Sequence, residues 1–260
     1  MPWTTANGIS IHYHLTGEQG PVVILLHEMG GTLDSWDEVV PGLSGAYRVL
    51  RYDQRGSGLS EKVRQTYSNE TAVADLEDLL SELKLPPPYH LVAVAAASTQ
   101  AMLFLNRHED QVKSLVLCNP ALGVDPSRAS QLEERAAQAE QNGMRAVLAI
   151  TLEKSYPPEI TDRATYDAYR GRYLANDPVG FGFANRMLAH TNVTSMLPTI
   201  KVPTMVVSGK HDGVRPTVVV EDIAKKINGA RFEVIEAGHF MPTTGPKPLT
   251  ALLKDFFAKA

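Results

Sequence analysis

Four short segments of this chain gather the residue types that acid–base and nucleophilic chemistry uses. They are His27-Glu28-Met29-Gly30-Gly31-Thr32, Asp53-Gln54-Arg55-Gly56-Ser57-Gly58-Leu59-Ser60, Gly209-Lys210-His211-Asp212 and Gly238-His239-Phe240. A histidine can take a proton near neutral pH and hand it on, and a carboxylate can orient it. Singly, none of these segments is diagnostic. A glycine-rich stretch behind an apolar run is usually only a turn. Asp before Gly, as at Asp212-Gly213, is a common turn pair. A lone histidine is more often structural than catalytic. No clustered His and Cys spacing suggests a metal site, so neither a metal nor an organic cofactor is expected.

Their positions give them weight. Val22-Val23-Ile24-Leu25-Leu26 is an aliphatic run bounded by Gly20-Pro21 and Gly30-Gly31, which reads as a buried strand. Tyr47 to Tyr52 and Tyr89 to Val94 read the same way. Between them, Val73, Leu76, Leu79, Leu80 and Leu83 share one helical face, and Pro86-Pro87-Pro88 is expected to stop that helix. A helix from about Ala96 to Arg107 and a strand from Ser114 to Cys118 follow. Strand and helix in alternation imply an α/β fold with a mostly parallel sheet covered on both faces, where ligands sit at the carboxyl ends of strands. Each of the four segments lies just behind such a run.

From about residue 122 to 198 the pattern changes. The stretch is charged and helical, with one helix beginning near Gln131 and another over Phe181 to Leu188. Strands resume at Thr204 to Val207 and Phe232 to Ile235, and Leu249, Leu252, Leu253 and Phe256 stripe a last helix. The expected organisation is a core over 1–121, a helical lid over 122–198 and a second core part over 199–260. The arginines and tyrosines of Tyr169-Arg170-Gly171-Arg172-Tyr173, within the lid, offer an anchor for a carboxylate, but a solvent-facing helix is the expected reading.

The composition excludes several classes. With 43% hydrophobic residues and a net charge of −4 over 260 residues, the chain is neither disordered nor basic enough to suggest nucleic acid. No polybasic tract or long apolar run suggests a membrane. The N-terminus lacks the pattern of a secretory signal, and Cys118 is the only cysteine; both favour the cytoplasm. The expected partner is a small-molecule substrate, and a homo-oligomer is left open.

Taken together and in this order, the four segments resemble the α/β-hydrolase superfamily over nearly the whole chain. The Asp-x-Arg-Gly-x-Gly-x-Ser run from Asp53 to Ser60 is the most specific part of the likeness. The resemblance implies a nucleophile on a sharp strand-to-helix turn, then an acid, then a histidine. It makes His239 the general base and Asp212 the acid that orients it. It places the oxyanion hole at the backbone N–H groups of Met29 and Ala96, with Glu28 and Gly30 beside the substrate.

The nucleophile turn departs from the family. The segment reads Ala93-Val94-Ala95-Ala96-Ala97, and counting back from Ser114 puts Ala95 in the nucleophile position. A methyl group cannot attack a carbonyl, and both flanking glycines of the family motif are alanine. Ser98 and Thr99 would overextend the strand, and Asn119, at the rival acid position, cannot supply a charge. Glu28 departs as well, since the family usually has glycine there. It is expected to pair with a polar neighbour behind the loop. Two origins account for Ala95: a serine replaced on purpose to hold substrate uncleaved, or a natural chain that gave up nucleophilic attack. The intact acid and base positions favour the first.

Within the superfamily, Asn176 to Phe181, Leu197-Pro198 and Val202-Pro203-Thr204 resemble 3-oxoadipate enol-lactonases and small esterases. That resemblance implies hydrolysis of a small ester, lactone or amide through an acyl-enzyme, with the alanine form nearly inactive. The alternatives are a nucleophile-less lyase or cofactor-free oxygenase using the His–Asp pair, and a non-catalytic receptor for a small ligand.

Overall fold

The computed structural model describes residues 2–260. Met1, the first residue of the expected core segment, lies outside the described residues. Eight strands form one sheet in the order β1-β2-β4-β3-β5-β6-β7-β8. The strands β3 (Val22–Leu26), β4 (Arg48–Tyr52), β5 (Tyr89–Val94), β6 (Val112–Cys118), β7 (Thr204–Gly209) and β8 (Arg231–Ile235) run parallel. Every residue of β3, β5 and β7 is buried, as continuous aliphatic runs require when helices cover both faces.

The sequence reading had no strand before Val22. The structure adds β1 (Trp3–Ala6) and β2 (Ile9–Thr16), an antiparallel hairpin that joins the sheet through β4. Its turn is Asn7-Gly8, with φ of 46° and 75°. Asn-Gly between alternating apolar residues is the common signal for such a turn.

The helices are α1 (Val40–Leu43), α2 (Asn69–Glu82), α3 (Ala97–Arg107), α4 (Pro126–Asn142), α5 (Leu152–Ser155), α6 (Arg163–Leu174), α7 (Pro178–Ala189), α8 (Thr217–Lys225), α9 (Met241–Thr244) and α10 (Pro246–Phe257). One apolar cluster joins α2, α3 and α8 to one sheet face; a second joins α1 and α10 to the other. Helix α2 opens on a capping box, Ser68 with Thr71. It ends at Glu82, where Lys84 turns left-handed with φ 50°, before the prolines are reached.

Residues 122–198 form α4 to α7 with short 3₁₀ turns, and a single isolated bridge joins Gly123 to Asn192. Helix α4 begins at Pro126, earlier than expected, with Asp125 accepting from the Ser127 N–H. The segment has its own apolar cluster, rich in tyrosine, which also takes in Phe240 from the core. This overturns the solvent-facing expectation for Tyr169 and Tyr173, which are 1% exposed. Their phenol oxygens have partners inside, which lets such large polar side chains go under. No helix among the described residues is long and apolar enough to cross a membrane.

Candidate active site

Strands β7 and β8 deliver the acid and the base side by side. Beyond β7 the chain turns sharply, and the buried Asp212 Oδ1 accepts the backbone N–H groups of Val214 and Arg215 at 2.7 and 2.8 Å. Its other oxygen, Oδ2, accepts from Nδ1 of His239 at 2.7 Å. With Nδ1 carrying its proton toward the carboxylate, Nε2 is left as the basic nitrogen. The two loops are laced together by Lys210 N–H to the Ile235 carbonyl (2.9 Å) and His211 N–H to the Ala237 carbonyl (3.0 Å). Gly209 permits this approach, since a Cβ there would lie 2.6 Å from the carbonyl oxygens of Ala237 and Gly238. His211 itself turns outward and pairs with Glu236 at 2.6 Å.

Asn119, at the end of β6, is a cross-brace. Its Oδ1 accepts the Gly209 N–H at 2.8 Å, and its Nδ2 donates to the carbonyls of Gly238 and His239 at 3.0 and 3.1 Å. A carboxylate could not make the two donations. The sequence marks Asn119 only as an uncharged residue at the rival acid position and carries no signal for this role.

On the neighbouring strand, β5 ends in a tight turn. Ala95 has φ 51°, a left-handed conformation that costs an alanine roughly 1–2 kcal/mol. The turn is held by three backbone bonds: Ala95 N–H to the Cys118 carbonyl (2.9 Å), and the N–H groups of Ser98 and Ala121 to the Ala95 carbonyl (3.1 and 3.0 Å). Ala95 packs in the same apolar cluster as Ala237 and Met241, which flank His239 in the chain. Ser98 is fully buried in the first turn of α3, and Thr99 Oγ1 donates to the Ala121 carbonyl at 3.0 Å. Burial pushes the Cys118 thiol up to about 12, which leaves it inert.

The loop after β3 supplies the remaining parts. His27 is locked by Nδ1 on the Glu28 carbonyl (2.8 Å) and by the Gln54 N–H on Nε2 (3.1 Å). Neither the Met29 nor the Ala96 backbone N–H has a hydrogen-bond acceptor among the described residues. Both residues line one narrow pocket, together with Glu28, Gly30, Gln54 and Gln100. Phe181 and Met187 of α7 close it from above, while Ala95 and His239 stand outside its wall. Two unbonded N–H donors flanking a cavity are the arrangement that stabilises a developing oxyanion.

Glu28 is completely buried, and its Oε1 accepts from Ser35 Oγ at 2.7 Å and from the Tyr169 hydroxyl at 2.5 Å. Its Oε2 is buried without a partner. Burial, then the nearby Glu28 charge, drives the Tyr169 hydroxyl well above its ordinary pKa, so it remains a donor. Gly30 sits at φ 80° against Tyr173, and its carbonyl accepts from Asn176 Nδ2 at 2.8 Å. Tyr169 and Asn176 thus pin the helical segment to the loop after β3. Neither was legible in the sequence; nor was Gln100.

Comparison with known proteins bears on the family and the fold. A family model described as alpha/beta hydrolase fold matches residues 21–246. A 3-oxoadipate enol-lactonase of Acinetobacter baylyi is 24% identical, the match covering 97% of this chain and 95% of that protein. A monoacylglycerol lipase of Homo sapiens is 26% identical over 95% of this chain and 78% of its own length. Among solved structures, an enol-lactonase of Burkholderia xenovorans superposes with a TM-score of 0.92 at 27% identity, covering 99% of this chain and all of that one.

Proposed function

We infer the reaction from the premise that this chain belongs to the alpha/beta hydrolase fold family. The site is that of a hydrolase of a small ester, lactone or amide, working through an acyl-enzyme, with alanine standing at the nucleophile position. What supports this is the His239–Asp212 bond, together with the left-handed turn at Ala95 and the unbonded N–H groups of Met29 and Ala96. The enol-lactonase relatives support the substrate class. Segment 122–198, pinned over the pocket by Tyr169 and Asn176, acts as the lid.

The mechanism follows for the Ala95→Ser form. His239 Nε2 takes the hydroxyl proton as the oxygen adds to the acyl carbon. The negative charge on the former carbonyl oxygen is held by the Met29 and Ala96 N–H groups, each donor contributing about 3–4 kcal/mol. Collapse expels the alcohol or amine, which receives the proton from His239. Water, deprotonated by the same imidazole, then frees the acid. Asp212 stabilises the imidazolium at both stages. The chain as written binds such substrates and barely turns them over.

Introducing Ala95→Ser and assaying small 4-nitrophenyl esters and lactones tests this. A gain approaching about 10⁶-fold in turnover is expected, and no gain on any of them rejects the acyl-enzyme reading. A second reading draws on Ala93 and Ala97, both buried where the family carries glycine. A turn rebuilt at three positions fits a chain that uses His239 directly as a base on substrate, as a lyase or cofactor-free oxygenase would. Proton exchange from an acidic C–H substrate by the unchanged chain would select it.

A further inference from the structure

The side chains that line the pocket are unequal. Asn69 donates to Thr191 at 2.6 Å, Gln54 Nε2 to the His27 carbonyl at 2.7 Å, and Asn176 to the Gly30 carbonyl at 2.8 Å. Tyr67 donates to the Arg55 carbonyl at 3.0 Å. Each of these side chains donates to a protein acceptor, and none has a buried polar atom without a partner. Gln100 is 95% buried, faces the same pocket, and its Oε1 has no partner. Its position in α3 is one turn beyond Ala96, which puts both on one helix face, with the long side chain leaning back toward Ala96. A buried carboxamide left unbonded is unfavourable until a ligand completes it.

The charges point the same way. No lysine or arginine lines the pocket. Glu28 lines it too, but its buried carboxyl group is turned to Ser35 and Tyr169. A substrate carboxylate placed here would meet no counter-charge.

We propose that the pocket takes an uncharged acyl compound bearing a carboxamide, lactam or imide, whose N–H and C=O pair with the side chain of Gln100. This rests on the hydrolytic reading and narrows its substrate class. Gln100 is then the residue that sets specificity, while Met29 and Ala96 hold the reacting carbonyl one helical turn away.

Three esters of matched length decide it in the Ala95→Ser form: 4-nitrophenyl 4-carbamoylbutanoate, 4-nitrophenyl pentanoate and the 4-nitrophenyl monoester of glutaric acid. The carbamoyl ester is expected to exceed the pentanoate in kcat/KM by about tenfold or more, because an unmet buried hydrogen-bonding group discriminates strongly. The anionic ester should come last. Gln100→Met should erase the carbamoyl preference and keep or raise the melting temperature. An anionic ester that matches or beats the carbamoyl one overturns the proposal; so does a Gln100→Met variant that slows all three alike or spares the preference. If none of the three is hydrolysed, the acyl-enzyme reading has failed, and calorimetry on the unchanged chain still decides the pocket. Binding of glutaramide but not glutarate, lost in Gln100→Met, supports the inference, whereas binding of glutarate or of neither overturns it.

Discussion

In His239–Asp212 the ring Nδ1 and the carboxylate Oδ2 are 2.7 Å apart; in His12–Asp53 they are 2.8 Å apart. Both aspartates are buried, and both follow a parallel strand, β7 for Asp212 and β4 for Asp53. The difference lies in what surrounds the pairs. Asp53 also accepts the backbone N–H groups of Leu33 and Leu59, each at 2.8 Å, and so fastens two loops. The outer nitrogen of His12 is buried without a partner. The outer nitrogen of His239 is not sealed in this way. A histidine–carboxylate hydrogen bond is therefore no mark of catalysis by itself. Access and a neighbouring electrophile site make it one.

Mutations at matched positions should separate the pairs. In the Ala95→Ser form, His239→Ala is expected to cut ester turnover by about 10⁴-fold or more. His12→Ala should leave kcat within severalfold while lowering the urea midpoint. Equal losses of turnover at the two histidines would erase the distinction. For the acids the effects should cross over. Asp212→Asn is expected to cost about 10⁴-fold in kcat through the wrong tautomer. Asp53→Ala should instead cost about 3–5 kcal/mol in chemical denaturation, because it strips a buried histidine and two N–H donors of their acceptor.

His90 supplies a third case, a buried histidine whose Nδ1 meets the Ser114 hydroxyl at 2.7 Å and no carboxylate. Burial, with a smaller contribution from Lys113, brings its pKa down to about 4 from 6.5. The folded state thus keeps it neutral where the unfolded chain takes up a proton. Its stabilising contribution is complete above about pH 6.5, declines as the pH falls, and is gone below about 4. His90→Gln should flatten the stability profile between those values, measured by urea unfolding at stepped pH. The smallest effect is expected for Tyr169→Phe. It removes one donor to Glu28 and should lower stability by about 1–3 kcal/mol, with a larger change in KM than in kcat.

How much of this was legible in the sequence follows from range. The parallel strands were readable because burial on both faces writes itself as unbroken aliphatic runs, as in β3. Asp212 and His239 were readable because each directly follows its own strand, so topology alone brings them together. The hairpin turn at Asn7-Gly8 carried a local signal that went unread. Tyr169 was hidden for a different reason: its partner Glu28 lies 141 residues away, and a tyrosine between arginines looks solvated until the helix is docked. Asn119 and Gln100 were hidden likewise, since an amide's role depends on which partners packing brings to it. The Asp53 to Ser60 motif, the most specific part of the likeness, proves to hold architecture: Ser60 Oγ donates to the Asp53 carbonyl at 2.6 Å, and Arg55 pairs with Asp75.

The left-handed backbone at Ala95 has a consequence for inheritance. Alanine and serine codons differ in a single base, and this bend already has the shape an alcohol would need. On the acyl-enzyme reading, a single base change at this codon would supply the missing hydroxyl on an unchanged backbone path, with Ala93 and Ala97 still standing where the family carries glycine.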